Sequence, residues 1–178
     1  MRDRLERLVQ RWWYERPEPP RLLRPLAGLY RQMASSRLGR PTARPPVPVI
    51  VVGNLTAGGS GKTPVVEALI HEFLLGDHAV AVISRGYGAR PPETPYRVQV
   101  DDTAARAGDE ALAVHRATGA PVWIDPNRAR ALEAAVANGA TVVISDDGLQ
   151  HRGLARSFEL CVIDGRRGFG NGALLPAG

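Results

Sequence analysis

From Val47 onward the apolar residues alternate between two spacings. Short unbroken runs have the length and β-branched content of buried strands: Val49-Ile50-Val51-Val52, Ala79 to Ile83, Pro121 to Ile124, Thr141 to Ser145 and Leu160 to Ile163. Between them the spacing turns helical. Pro64 to Leu75 puts Val65, Val66, Leu69, Ile70 and Phe73 on one side, and Asp109 to Thr118 repeats the pattern. Asn127 is a capping residue for a third helix that reaches Asn138 and is closed by Gly139. Tyr96 to Val100 alternates and predicts an edge strand. Apolar strands separated by helices predict an α/β fold, a mostly parallel sheet with helices on both faces.

The first 44 residues follow another rule. Leu5, Leu8, Val9, Trp12 and Trp13 form one apolar helical stripe, with Arg4, Arg7 and Arg11 opposite. Pro17, Pro19 and Pro20 break it, and Leu22, Leu23, Leu26, Leu29, Tyr30 and Met33 form a second, roughly helical stretch. Pro41, Pro45, Pro46 and Pro48 read as a linker. The expected organisation is thus an amphipathic helical arm over 1–44 and a main domain over 45–178. Two readings of the arm stay open: helices packed on the core, or an interfacial element with its apolar face in lipid and its arginines in the headgroups.

Charge sharpens this division. Residues 1–44 hold 11 Arg against Asp3, Glu6, Glu15 and Glu18, whereas residues 45–178 hold 11 Arg and one Lys against 14 acids. A nucleic-acid-binding domain spreads positive charge over its folded face. A basic arm on a near-neutral body instead suits an anionic membrane surface, with no nucleic-acid partner. The 178 residues suffice for one domain with a sizeable core. No apolar run approaches the length of a membrane-spanning helix, and the opening Met-Arg-Asp-Arg lacks the apolar core of a secretory signal, so the chain reads as cytosolic. The one cysteine, Cys161, excludes an internal disulfide and is expected in the core as a reduced thiol.

Lysine is nearly absent from this composition, yet Lys62 stands inside Gly58-Gly59-Ser60-Gly61-Lys62-Thr63, after a buried strand and at the start of a helix. This is the setting of a phosphate-binding loop, and it makes the sheet of P-loop NTPase type. The candidate nucleotide site is Thr56, Ala57, Gly58, Gly59, Ser60, Gly61, Lys62 and Thr63. The glycines let backbone N–H groups turn toward phosphate oxygens, and the helix start adds its positive end. Lys62 reaches the β- and γ-phosphates, and the Thr63 hydroxyl is offered to Mg²⁺. The strict motif has glycine where this chain has Thr56.

A second strand, Val142-Val143-Ile144-Ser145, runs into Asp146-Asp147-Gly148. Alone this is a turn. At the carboxyl end of a central strand in a P-loop protein it is the place for Mg²⁺-ordering carboxylates. Gly108-Asp109-Glu110 opens a helix, which favours acids at its first turn. It is also read as a carboxylate base beside the transferred phosphate, and the residues alone leave both readings open.

In order along the chain, Val49 to Thr56, Gly58 to Pro64, Ser84-Arg85-Gly86-Tyr87-Gly88, Gly108-Asp109-Glu110, Asp146-Asp147-Gly148-Leu149-Gln150-His151 and Asp164 to Gly172 closely resemble the tetraacyldisaccharide 4'-kinases, the lipid A kinases of Gram-negative inner membranes. The resemblance runs from about Pro46 to the last residue, and Thr56 in place of the first glycine is itself a family trait. It implies transfer of the ATP γ-phosphoryl group to the 4'-hydroxyl of a tetraacylated glucosamine disaccharide 1-phosphate. Cofactors would be ATP and Mg²⁺, and the setting the cytoplasmic face of the inner membrane. It implies Asp109 as base beside Lys62, a Mg²⁺ environment of Thr63, Glu110, Asp146 and Asp147, and a surround for substrate and nucleotide that includes Ser84, Arg85, Tyr87, Gln150 and His151. It implies the interfacial reading for the N-terminal helix. The family continues past this sequence into a C-terminal lobe whose histidine partners the base, a place not taken by His71, His78, His115 or His151. Slow transfer by these residues alone is therefore expected.

Two alternatives compete. A membrane-associated P-loop ATPase switch would carry an extra lysine early in the loop, and this chain has only Lys62. A nucleotide-binding fragment without catalysis fits the composition equally well.

Overall fold

A computed structural model describes residues 9–15, 18–36, 44–56, 61–151 and 153–177. Among the described residues six strands make one sheet: β1 (Val49–Gly53), β2 (Val80–Ser84), β3 (Tyr96–Arg97), β4 (Val122–Ile124), β5 (Val142–Asp146) and β6 (Phe158–Cys161). Their order is β3-β4-β2-β5-β1-β6, and every pairing is parallel except β3 with β4. The helices are α1 (Arg24–Ser36), α2 (Lys62–Leu75), α3 (Ala104–Ala107), α4 (Asp109–Thr118) and α5 (Arg128–Ala137).

Both faces of the sheet are covered, which is why its central strands are apolar without interruption. Side chains alternate across a strand. In β1, Ile50 and Val52 join Val66 and Ile70 of α2 and Ala111, Leu112 and Val114 of α4. Val49 and Val51 point the other way, to Ala131, Leu132 and Ala135 of α5. Each fully buried Val or Ile contributes on the order of 1.5–3 kcal/mol. The Asn127 side chain caps α5 by accepting from the Ala129 N–H at 3.1 Å. As expected, β3 is an edge strand, though only two residues long.

One expected strand differs. The buried strand over Leu160 to Ile163 is instead β6, shifted to Phe158–Cys161, and all four of its residues are exposed. It lies at the sheet edge beside β1, so an apolar run here does not mean burial. Cys161 is accordingly exposed rather than a core thiol.

The chain divides into two compact units, residues 40–54 with 59–162, and residues 1–39 with 55–58 and 163–178. The first holds the sheet. Within the second, Arg11–Glu15 is a short π-helical segment. The Trp13 indole donates to Pro176 O at 3.1 Å, and the Asn171 amide donates to Trp12 O and Ala177 O. The Arg167 guanidinium stands 5.3 Å from the Tyr14 ring centroid. Trp12 and Trp13 are both half-buried, and the Trp13 indole meets the chain's own distal segment. The exposed apolar face belongs to the second stretch, where Leu22, Leu26, Leu29, Tyr30 and Met33 are all exposed. Leu5 and Leu8 of the first stripe lie outside the described residues.

Candidate functional site

The carboxyl ends of parallel strands gather polar residues where the chain leaves the sheet. After β1 the backbone passes Asn54, and α2 opens at Lys62. Gly61, before the helix, has φ +77°, a left-handed value that glycine adopts without strain, and provides no side-chain cap to the first turn. Gly61 thus leaves the amides of Lys62 and Thr63, ahead of Pro64 which has none, without a side-chain cap of its own. Thr63 is the second residue of the helix. Thr56 falls in the other compact unit, and Ala57, Gly58, Gly59 and Ser60 lie outside the described residues.

The Lys62 ammonium has two acceptors: Asn54 Oδ1 at 2.9 Å and Asp147 Oδ1 at 2.7 Å. One side chain thus ties the start of α2 to the ends of β1 and β5. Asp147 has φ +50°, a conformation that aspartate tolerates better than most residues. Gly148 follows because nothing larger fits: a Cβ there would lie 2.6 Å from Ser145 Oγ and 2.7 Å from Val51 Cγ1.

The turn is fastened from the opposite face. Arg128, the first residue of α5, is buried and donates to Ser145 Oγ at 2.8 Å, to Asp147 O at 2.9 Å and to Asp146 O. Arg156 donates to the carbonyls of His151 and Leu154 and pairs with Glu159. Neither arginine stands out in the sequence, since arginine is its default cation. A cue did exist for Arg128: a positive charge at the first turn of a helix opposes the helix dipole, so another contact has to hold it there.

Asp146 is buried, and its Oδ1 has no hydrogen-bond partner among the described residues. Burial, then the negative charges of Glu110 and Asp147, push its carboxyl up to about 6, against the pull of Lys62 and Arg128. Burial, and then the positive charges of Arg128 and Arg85, hold the His151 imidazole below its ordinary range. Gln150 is exposed beside it.

On the neighbouring side, Asp109 and Glu110 form the exposed first turn of α4. They line an open cleft of about 220 Å³ with Ser84, Gly86, Tyr87, Gly108 and Ala111. Ser84 closes β2, Arg85 is exposed, and Tyr87 is 88% exposed. The structure therefore brings Ser84, Tyr87, Asp109 and Glu110 to one cleft, and Lys62 to Asp147.

The expected metal set of Thr63, Glu110, Asp146 and Asp147 does not form a closed cage. Among the described residues no three His, Cys, Asp or Glu side chains converge on one point. That suits Mg²⁺ better than a protein-caged ion, because Mg²⁺ takes one or two carboxylates and fills its shell with water and phosphate oxygens. The unpartnered Asp146 Oδ1 fits such an ion.

Known proteins resemble this chain over most of its length. The family model described as tetraacyldisaccharide-1-P 4'-kinase matches residues 20–178. The tetraacyldisaccharide 4'-kinases of Pseudomonas aeruginosa and Pseudomonas putida are 50% and 48% identical over 97% of this chain. The chain spans 54% of their length. A crystal structure of LpxK from Aquifex aeolicus in complex with ATP superposes with a TM-score of 0.62 at 30% identity, covering 79% of this chain and 45% of that one.

Proposed function

Because the chain belongs to the tetraacyldisaccharide-1-P 4'-kinase family, we propose that it is the nucleotide-binding part of an enzyme that phosphorylates a lipid A precursor. That enzyme transfers the γ-phosphoryl group of ATP to the 4'-hydroxyl of a tetraacylated glucosamine disaccharide 1-phosphate. The observation that carries the reading is Lys62, poised at the start of α2 between the ends of β1 and β5. A lone ammonium there meets the charge of the β- and γ-phosphates, while the uncapped amides of α2 receive phosphate oxygens.

Asp146, Asp147 and Thr63 are the residues that would hold Mg²⁺, which neutralises charge on the transferred phosphoryl group. Asp109 faces the open cleft, where its carboxylate accepts the proton of the sugar hydroxyl as the new O–P bond forms and the bond to ADP breaks. Tyr87 presents its ring for sugar contact on the same cleft.

The exposed apolar residues of the α1 region, with Arg21, Arg24 and Arg31 among them, suit a peripheral seat on anionic lipid at the cytoplasmic face of the inner membrane. Among the described residues no helix is long and apolar enough to cross a membrane.

The test is transfer of labelled γ-phosphate to tetraacyldisaccharide 1-phosphate in mixed micelles. It is run with the chain alone and with the chain joined to the part of the Pseudomonas aeruginosa relative that it does not match. The joined protein should yield 4'-phosphorylated lipid, the chain alone should bind ATP but transfer slowly, and Lys62→Ala should abolish transfer. ATP consumption without lipid product, or undiminished transfer in Lys62→Ala, overturns the reading.

A further inference from the structure

The two acceptors on Lys62 differ in kind. Asp147 is charged, half-exposed and set on a turn. Asn54 is neutral, only 5% exposed, and follows a strand paired on both sides by β5 and β6. An ammonium carries donors only, so it is the amide oxygen of Asn54 that faces it.

We propose that Asn54 is the positioning residue of the phosphate-binding lysine, holding the Lys62 ammonium at the end of β1 without cancelling its charge. The proposal rests on the nucleotide-binding reading of the same site.

Lysine is a point charge on a flexible four-carbon stem, so by itself it samples many positions. Its three N–H bonds can serve three acceptors, and Asn54 and Asp147 occupy two of them. A carboxylate in place of Asn54 would set two negative charges against one positive, and an incoming triphosphate would meet net repulsion. A neutral amide holds the geometry and leaves the charge for the phosphate. It also lets Asp147 turn toward a cation brought in with the nucleotide while the lysine stays in place. The firmer anchor is the buried residue that directly follows the central strand, and the exchangeable one is on the turn.

Three variants and a double variant decide the matter by calorimetric titration with ATP and Mg²⁺. Lys62→Ala is expected to bind about a hundredfold more weakly, and Asn54→Ala about tenfold, the range for losing a hydrogen bond to a charged group. The double variant should bind no more weakly than Lys62→Ala, because Asn54 acts through the lysine. A merely structural role would give the same tenfold loss in both backgrounds and overturn the proposal. Asn54→Asp should bind more weakly than Asn54→Ala near pH 8, because its added negative charge opposes the triphosphate.

Lys62 is the only lysine of the chain, so ¹³C,¹⁵N-lysine labelling gives a single side-chain signal. That signal should shift in Asn54→Ala without any nucleotide, and an unmoved signal counts against the proposal. If Lys62→Ala binds ATP like the parent, the nucleotide reading falls and the proposal with it. If Lys62→Ala is weakened while Asn54→Ala is silent or additive, only the role of Asn54 falls. Should Asn54→Ala fail to fold, Asn54→Asp keeps the size and shape, and unchanged affinity near pH 8 overturns the proposal.

Discussion

The two sides of the candidate site are held in opposite ways. On the side of β1, α2 and β5, Lys62 is paired with Asn54 and Asp147, and the following turn is fastened by Arg128 and Arg156. On the side of β2 and α4, Asp109, Glu110 and Tyr87 stand exposed around an open cleft. The first side is preorganised, with Lys62, Asn54 and Arg128 paired and aimed before any ligand arrives, although Asp147 stays half-exposed. On the second side the exposed side chains of Asp109, Glu110 and Tyr87 contribute little to the fold, while α4 behind them packs in the core through Ala111, Leu112 and Val114. Changes on the first side should therefore register in stability as well as binding, and changes on the second in turnover alone.

The sharpest break in this contrast would come from Arg128→Ala. It strips three acceptors of their buried donor and should cost about 3 kcal/mol or more in urea denaturation. A loss below about 1 kcal/mol would show that the turn is held by other contacts.

Asp146→Asn comes next and runs in the opposite direction. The folded carboxyl titrates near 6 instead of 3.8, so the fold favours its protonated form. Stability from this group is present below about pH 4 and is lost as the pH rises through 6, a penalty of about 3 kcal/mol at neutral pH. Asn removes the penalty, so the variant should be the more stable protein near pH 7.5 and gain nothing near pH 4. Mg²⁺ with ATP should stabilise the parent more than the variant. A pH-independent difference would sink the assignment.

The smallest effect on stability belongs to Asp109→Asn, expected within about 0.5 kcal/mol of the parent because the side chain is exposed. In the joined protein the same change should lower kcat with little change in KM for ATP, the mark of a transition-state contact. A stability loss comparable to that of Arg128→Ala would erase the distinction between the two sides.

Much of this was legible in the sequence where one residue type has one local job. Asp109 to Thr118 is a helix over that span, and Asn127 caps the next one. Lys62 is conspicuous because lysine is otherwise missing. What escaped depends on the third dimension. Arg128 is one arginine among 22 in the sequence, yet it is buried because Ser145 and the turn after β5 come to meet it. Asn54 reads as a loop residue until α2 folds back and brings Lys62 to it. The run at Leu160 looks like core because composition registers apolarity and not position in a sheet, and β6 lies at an edge.

That edge has a practical consequence. In Phe158, Glu159, Leu160 and Cys161 the outermost parallel strand offers apolar side chains with a single charge among them. Natural sheets commonly protect such borders with lysine, proline or a covering element. As isolated material, the 178-residue chain should therefore be self-adhesive. Self-association should rise with concentration, and an added charge at Phe158, which pairs with Ile50 at the end of β1 away from Asn54, should raise the solubility ceiling.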